Sequence, residues 1–363
     1  MSFKIKTALL EWAIKRSGKP REEILAKVPQ LEEWLQGNNL PTTVGDLEPF
    51  AKATYTSVFL LVLDEPIDEP FPAVLGFRHS KKVNPTAQIN QQPHSANLLD
   101  TIYDCQTKQN WYEDYCNRIG KRGYRPIGNY SIEQEAEDVA QELAAEFSFP
   151  EKGVSKKRVS KKRTSLAKYV ELVERKGIMV VQTGIVKGDP DRLLSLDDCR
   201  GFALPSDIAP VVFINSNDSI EGMKFTLLYE LAHIVINAQN GNPHRSAEAK
   251  LNNTFNNATD DWCNSFAAEI LGSINAMNDA RKVREADNEA LDFFVSGMNR
   301  SGAKTQEMIS RHINDASDDA SIVARNSKLL CRALAESIEE GETLDNEAIR
   351  LLHTDNTQII NNL

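Results

Sequence analysis

Apolar residues recur along this chain at helical spacing near its start. Leu9, Leu10, Ala13 and Ile14 fall on one face of a first helix. Pro20 suits the first helical position of a second, PREEILAKV. Pro29 and Gly37 bracket a third, PQLEEWLQG, and Thr42 or Thr43 offers a hydroxyl to cap a fourth, VGDLEPFAKAT. An apolar run, SVFLLVL, follows, so four or five short helices are expected within residues 1–63.

The pattern changes after that. DEPIDEPFP is an acidic, proline-rich joint that cannot continue a helix. NPTAQINQQPHSAN reads as a polar surface loop, and a helix is expected from about Ala96 to Ile119. SIEQEAEDVAQELAAEF reads as a long amphipathic helix started by Ser131, and LAKYVELVERKG as another stopped by Gly177. IMVVQT, CRGFAL and APVVFIN are short, apolar and bounded by turn residues, which predicts three strands. MKFTLLYELAHIVINA and DDWCNSFAAEILGS return to helical spacing, and the remainder is polar and helical. Helices and a few strands in this order predict an α+β fold, with regions at 1–63, 64–130, 131–275 and 276–363.

Composition narrows the class. The chain has 363 residues, 41% hydrophobic and 26% charged, enough for a core without staples. Its net charge of −10 means that any attraction to nucleic acid must come from a local patch. Five cysteines, with no C-x-x-C pair, suggest neither a disulfide framework nor a cysteine zinc site. The first residues lack a signal-peptide apolar core, and no apolar run approaches the ~18 residues of a spanning helix. A cytoplasmic protein with no membrane contact is expected.

The chemistry concentrates in FTLLYELAHIVI. Metallopeptidase helices carry H-E-x-x-H, whose two histidines at i and i+4 share a face and hold one zinc. The glutamate beside the first histidine acts as general base on the zinc-bound water. Here the five positions read Tyr229, Glu230, Leu231, Ala232 and His233.

With LDDCRGFAL, APVVFINSNDS and DDWCNSFAAEIL around it, this segment resembles an ImmA/IrrE-type metallopeptidase domain. LEEWLQGNNLPTTVGDLEPFAKATYTSVFLLVLDEP resembles the XRE-type helix-turn-helix module and joint of fused members. The resemblance covers residues 1–63 and about 131–275. It implies a helix-turn-helix-like module, then a zincin-like domain with a small sheet packed by helices, then a helical tail. It also implies a regulatory role in stress or mobile-element responses, exercised on a repressor or antitoxin-like protein partner, with homodimer formation open. Position by position, Glu230 matches the general base, His233 a zinc ligand, and Asp260 the family's ligand glutamate, with Asp261 the alternative after a one-residue slip. Tyr229 stands where the first ligand histidine belongs.

That departure leaves three readings. The metal is retained, with Tyr229 as tyrosinate or with His244 supplied by the loop after the helix. Alternatively the domain is a metal-free pseudopeptidase that binds its partner, since catalytic zinc sites supply three protein ligands. Or E-L-A-H is ordinary helix, which the flanking segments argue against. The expectation is no cofactor, and zinc only where the altered site still holds it.

DNA binding is a further alternative. Gln30, Gln36, Asn38 and Asn39 can read base edges around the third helix. Glu32 and Glu33 would repel phosphates there, and residues 1–63 carry eight basic against seven acidic side chains. A stronger patch lies at 152–163, where Lys152, Lys156, Lys157, Arg158, Lys161, Lys162 and Arg163 can meet phosphates or simply stand in solvent.

Overall fold

The computed structural model describes residues 5–41, 43–67, 74–78, 95–123, 129–150, 165–237, 257–272 and 319–354. They form two compact units: Met1–Pro72 with Lys82–Tyr103, and Ala73–Lys81 with Asp104–Leu363.

The first unit is helical, with α1 (Thr7–Ser17), α2 (Arg21–Lys27), α3 (Leu31–Leu35), α4 (Val44–Thr54) and α5 (Val58–Leu61). Pro20 stands one residue outside α2, in extended conformation, rather than at its first helical position. Thr43 caps α4 in a reciprocal box: its hydroxyl accepts from the Asp46 amide at 3.3 Å, and Asp46 accepts from the Thr43 amide at 3.1 Å. The helices converge on Leu10, Ala13, Ile24, Leu31, Trp34, Leu47 and Phe50, and of the face predicted for α1, Ile14 is only partly buried. Trp34 meets Phe50 edge-on, with centroids 6.3 Å apart. Arg16, itself buried, donates to the Tyr55 carbonyl at 3.0 Å and to Asp100 at 3.2 Å. Asp100 lies on α6 (Ala96–Arg118), the helix along which the chain passes from the first unit into the second.

In the second unit a sheet is built in the order β1 (Leu75–Arg78), β5 (Gly201–Leu204), β6 (Val211–Ile214), β2 (Met179–Gln182). β2 is parallel to β6, while β5 is antiparallel to both β6 and β1. The strands β5, β6 and β2 coincide with the three apolar segments of the sequence. Two features are additions: β1, and the hairpin of β3 (Ile185–Val186) and β4 (Asp189–Leu193). β4 is the polar string DPDRL, with no alternation to betray it. The pair is set by its turn, where Lys187 and Gly188 take φ of 51° and 75°.

Around the sheet lie α7 (Ala136–Phe147), α8 (Leu166–Glu174), α9 (Ile220–Asn237) and α10 (Asn257–Leu271). α9 packs against β1, β5 and β6, and α10 against α9 and α7. The helix expected from Ser131 begins only at Ala136. Residues 131–134 instead form a turn, in which the Ser131 amide donates to the Gln134 side chain at 2.9 Å. The Gln134 carbonyl is held from outside by the Trp262 indole N–H at 2.7 Å, so a tertiary contact overrides the local helical pattern.

The polar C-terminal region supplies α11 (Asp319–Asn326), α12 (Lys328–Glu339) and α13 (Asp345–Leu352). α11 and α12 lie against β2, and the three helices bury Ile322, Leu330, Leu334, Ala348 and Leu352. Glu174 at the end of α8 accepts from the Ser327 hydroxyl at 2.5 Å and the Lys328 amide at 3.0 Å. The basic run 152–163, most of the polar loop at 84–97, residue 42 and the segment 276–318 lie outside the described residues.

Candidate active site on helices α9 and α10

α9 follows β6 through the loop Asn215–Ser219, and that loop is fixed from within. The wholly buried Asn215 amide donates to the Leu194 carbonyl at 3.1 Å and the Cys199 carbonyl at 2.8 Å. Asn217 donates to the Gly184 and Leu194 carbonyls, each at 2.9 Å, and Arg200 pairs with Asp218 at 2.6 Å. These bonds replace the water that the loop backbones lose on burial.

The helix is then pressed onto β5 at Gly201. A β-carbon there would stand 2.2 Å from the Thr226 methyl and 2.8 Å from the Phe213 carbonyl oxygen. Only glycine lets α9 approach this closely. The same point lies 3.5 Å from Glu230 Oε1, so Glu230 faces β5. It is wholly buried, with both carboxylate oxygens shut off from solvent.

Tyr229 and His233, four residues apart, lie on one face of α9 with ring centroids 4.8 Å apart, edge to face. α10 brings Asp260 to them. The Tyr229 hydroxyl donates to Asp260 Oδ1 at 3.0 Å, and His233 Nε2 stands 3.8 Å from the same oxygen. Tyr229 and His233 are buried, while the Asp260 side chain is 33% exposed and opens the group to solvent. Burial first, and the Asp260 charge second, hold the Tyr229 phenol well above its ordinary range. Burial also raises Asp260, against the Tyr229 hydrogen bond that lowers it. The phenol therefore keeps its proton at neutral pH and uses it to bind the carboxylate.

This donor set does not fit a catalytic zinc. Such a site takes three protein ligands. Here Tyr229 is a neutral phenol, and its hydroxyl is bonded to Asp260, the carboxylate that also faces His233. Among the described residues no group of three His, Cys, Asp or Glu side chains is placed to hold a metal ion. His244 lies outside the described residues. Trp262 and Cys263, beside Asp260, are core residues.

The residues considered for DNA belong to other stretches of the sequence. Gln30, Gln36, Asn38 and Asn39 are exposed around the five-residue α3. Two of their acidic neighbours are engaged: Glu32 by Arg21 at 2.6 Å and Glu33 by Asn39 at 2.8 Å. Lys156, Lys157, Arg158, Lys161, Lys162 and Arg163 lie outside the described residues.

One feature near the site carries no signal in the periodicity. β1 lies against α9, yet its sequence, LGFR, sits in what reads as a joint. The clue available was the apolar stretch AVLGF directly after DEPIDEPFP.

The family model of the IrrE N-terminal-like domain, Peptidase_M78, matches residues 173–284. The match takes in β2 to β6, α9 and α10, and so all four residues of the group. This stretch of the second unit is thus similar to the IrrE N-terminal-like domain. No curated protein and no solved structure matches the chain. Among the described residues no helix is long and apolar enough to cross a membrane.

Proposed function

We propose that the chain is a regulator whose peptidase-like domain works without metal, binding a partner protein rather than cleaving it. The partner class is a repressor or antitoxin-like protein. The observation that carries this is the Tyr229–Asp260 hydrogen bond, which stands where a histidine–metal–carboxylate bridge would be needed. Glu230 keeps the general-base position, but a general base acts only on a water that something else has activated and placed. The first unit then serves as a docking or dimerisation module. The exposed acids of α3 argue against phosphate contact there.

The test is zinc content by elemental analysis after incubation with zinc and removal of excess. Wild type should retain far less than one zinc per chain, and Tyr229→His should retain about one, since it restores a three-ligand set. Wild type holding about one zinc, with Glu230→Gln holding the same, overturns the reading and supports a zinc endopeptidase that cleaves its partner.

A further inference from the structure

β1 is an unusual part of the second unit. Its segment, Ala73–Lys81, is bracketed in the sequence by stretches of the first unit, Met1–Pro72 and Lys82–Tyr103. The chain leaves one unit, lends a strand to the other, and returns. The strand pairs with residues more than 120 positions further on, so it is not part of a local hairpin.

The pairing is short and irregular. Leu75 is opposite Ala203 and Arg78 opposite Gly201, three steps on β1 against two on β5. One residue of β1 is therefore extra, and a bulge interrupts a ladder of only four residues. Among the described side chains of the strand, Leu75 joins it to the core, at 8% exposure. A short edge strand interrupted by a bulge belongs to the weakly held part of a fold.

Its place matters more. β1 runs antiparallel along the outer edge of β5 and against α9. Its Arg78 end is opposite Gly201, the residue whose built β-carbon lies 3.5 Å from the Glu230 carboxylate. An extended peptide added to that edge would lie where β1 lies. The free edge of a sheet recognises such a peptide through its backbone, and a pocket at alternate positions selects its side chains.

We infer that the outer edge of β5 beside Glu230 is an acceptor for an extended segment of a partner protein, and that residues 75–78 hold it in cis until that segment displaces them. The matching segment carries a branched apolar residue at the Leu75 position, with small and aromatic residues after it. This rests on the domain being a partner-binding module and names how the partner is held. Neither a metal nor cleavage is required.

The probe is a fluorescent peptide of residues 73–81, AVLGFRHSK, titrated into the full chain by anisotropy. Leu75→Asp removes the anchor of the in-cis strand and vacates the edge. That chain should bind the peptide about ten- to a hundredfold more tightly than wild type, as release of one leucine anchor predicts. The same peptide with aspartate for its leucine should not bind. Leu75→Cys with Ala203→Cys locks the strand when oxidised; binding should vanish and return on reduction. On wild type, hydrogen exchange needs no variant: amides of 75–78 should exchange well before those of 211–214. Equal protection of the two strands overturns the inference, as does unchanged peptide affinity in the oxidised pair or in a folded Leu75→Asp chain. Zinc found in wild type while the peptide behaves as expected would leave the acceptor edge standing and remove only the metal-free reading. An empty wild type whose edge takes no peptide would do the reverse.

Discussion

The two units bury charge to different ends. In the first, the core is apolar side chains from short helices, and Arg16 is its one buried ionic side chain among the described residues, bonded to Asp100 and to a carbonyl. The second buries Lys108, Glu174, Asp218, Lys224, Glu230, His233 and Arg325. Several of these tie remote segments together. Asp104 is bonded to Lys108 on its own helix and to His353 after α13, and Glu174 receives the start of α12. Others, Lys224, Glu230 and His233, lie on α9. Buried charge is costly and contributes little net stability even when paired. The second unit places this charge to tie segments together and to line α9, whereas the core of the first unit is built from apolar side chains.

The largest effect that tests this contrast is at Asp104. Asp104→Asn leaves Lys108, whose side chain is 4% exposed, without its carboxylate. Urea unfolding should show a loss of about 3–5 kcal/mol, and adding Lys108→Met should recover much of it. A loss within the range of surface substitutions would mean that the pair does not pin the C-terminal helices. pH gives the sign independently. Burial raises the Asp104 carboxyl, but Lys108 and His353 together outweigh it and bring it down from 3.8 to about 2. A carboxylate lowered on folding contributes stability above its unfolded value, so stability should fall as pH drops from about 4 towards 2. Asp104→Asn should flatten that part of the profile.

Next comes Gly201→Ala, which forces a methyl against Thr226 and the Phe213 carbonyl. Overpacking there should cost about 1–3 kcal/mol in urea unfolding. Thr226→Ser removes the closest methyl and should return part of the loss. If Gly201→Ala were neutral, close approach of α9 to β5 would not be what glycine provides. The smallest effect lies in the first unit. Thr43→Ala removes one exposed helix cap and should cost about 1 kcal/mol, with no change in zinc or peptide binding.

Much of the local structure was legible. Apolar spacing located α1, the punctuation by Pro20, Pro29, Gly37 and Thr43 located α2 to α4, and short apolar runs between turn residues located β2, β5 and β6. Tyr229 and His233 share a face because four residues make roughly one helical turn. Elements without an apolar period were not legible: the polar β4 is held by a turn with two positive φ values, and the delayed start of α7 by an indole from α10.

What the sequence by itself determined, then, is the identity of the residues on α9 and the face that Tyr229 and His233 share. That the phenol is bonded to Asp260, that Glu230 is enclosed beneath β5, that the C-terminal helices lean on β2, and that a strand from the joint lies beside the site were decided by tertiary structure. The physical reason is range. Periodicity records which face of a segment is buried, but pairings between residues 31 positions apart, as for Tyr229 and Asp260, or more than 120, as for β1 and β5, leave no period to read.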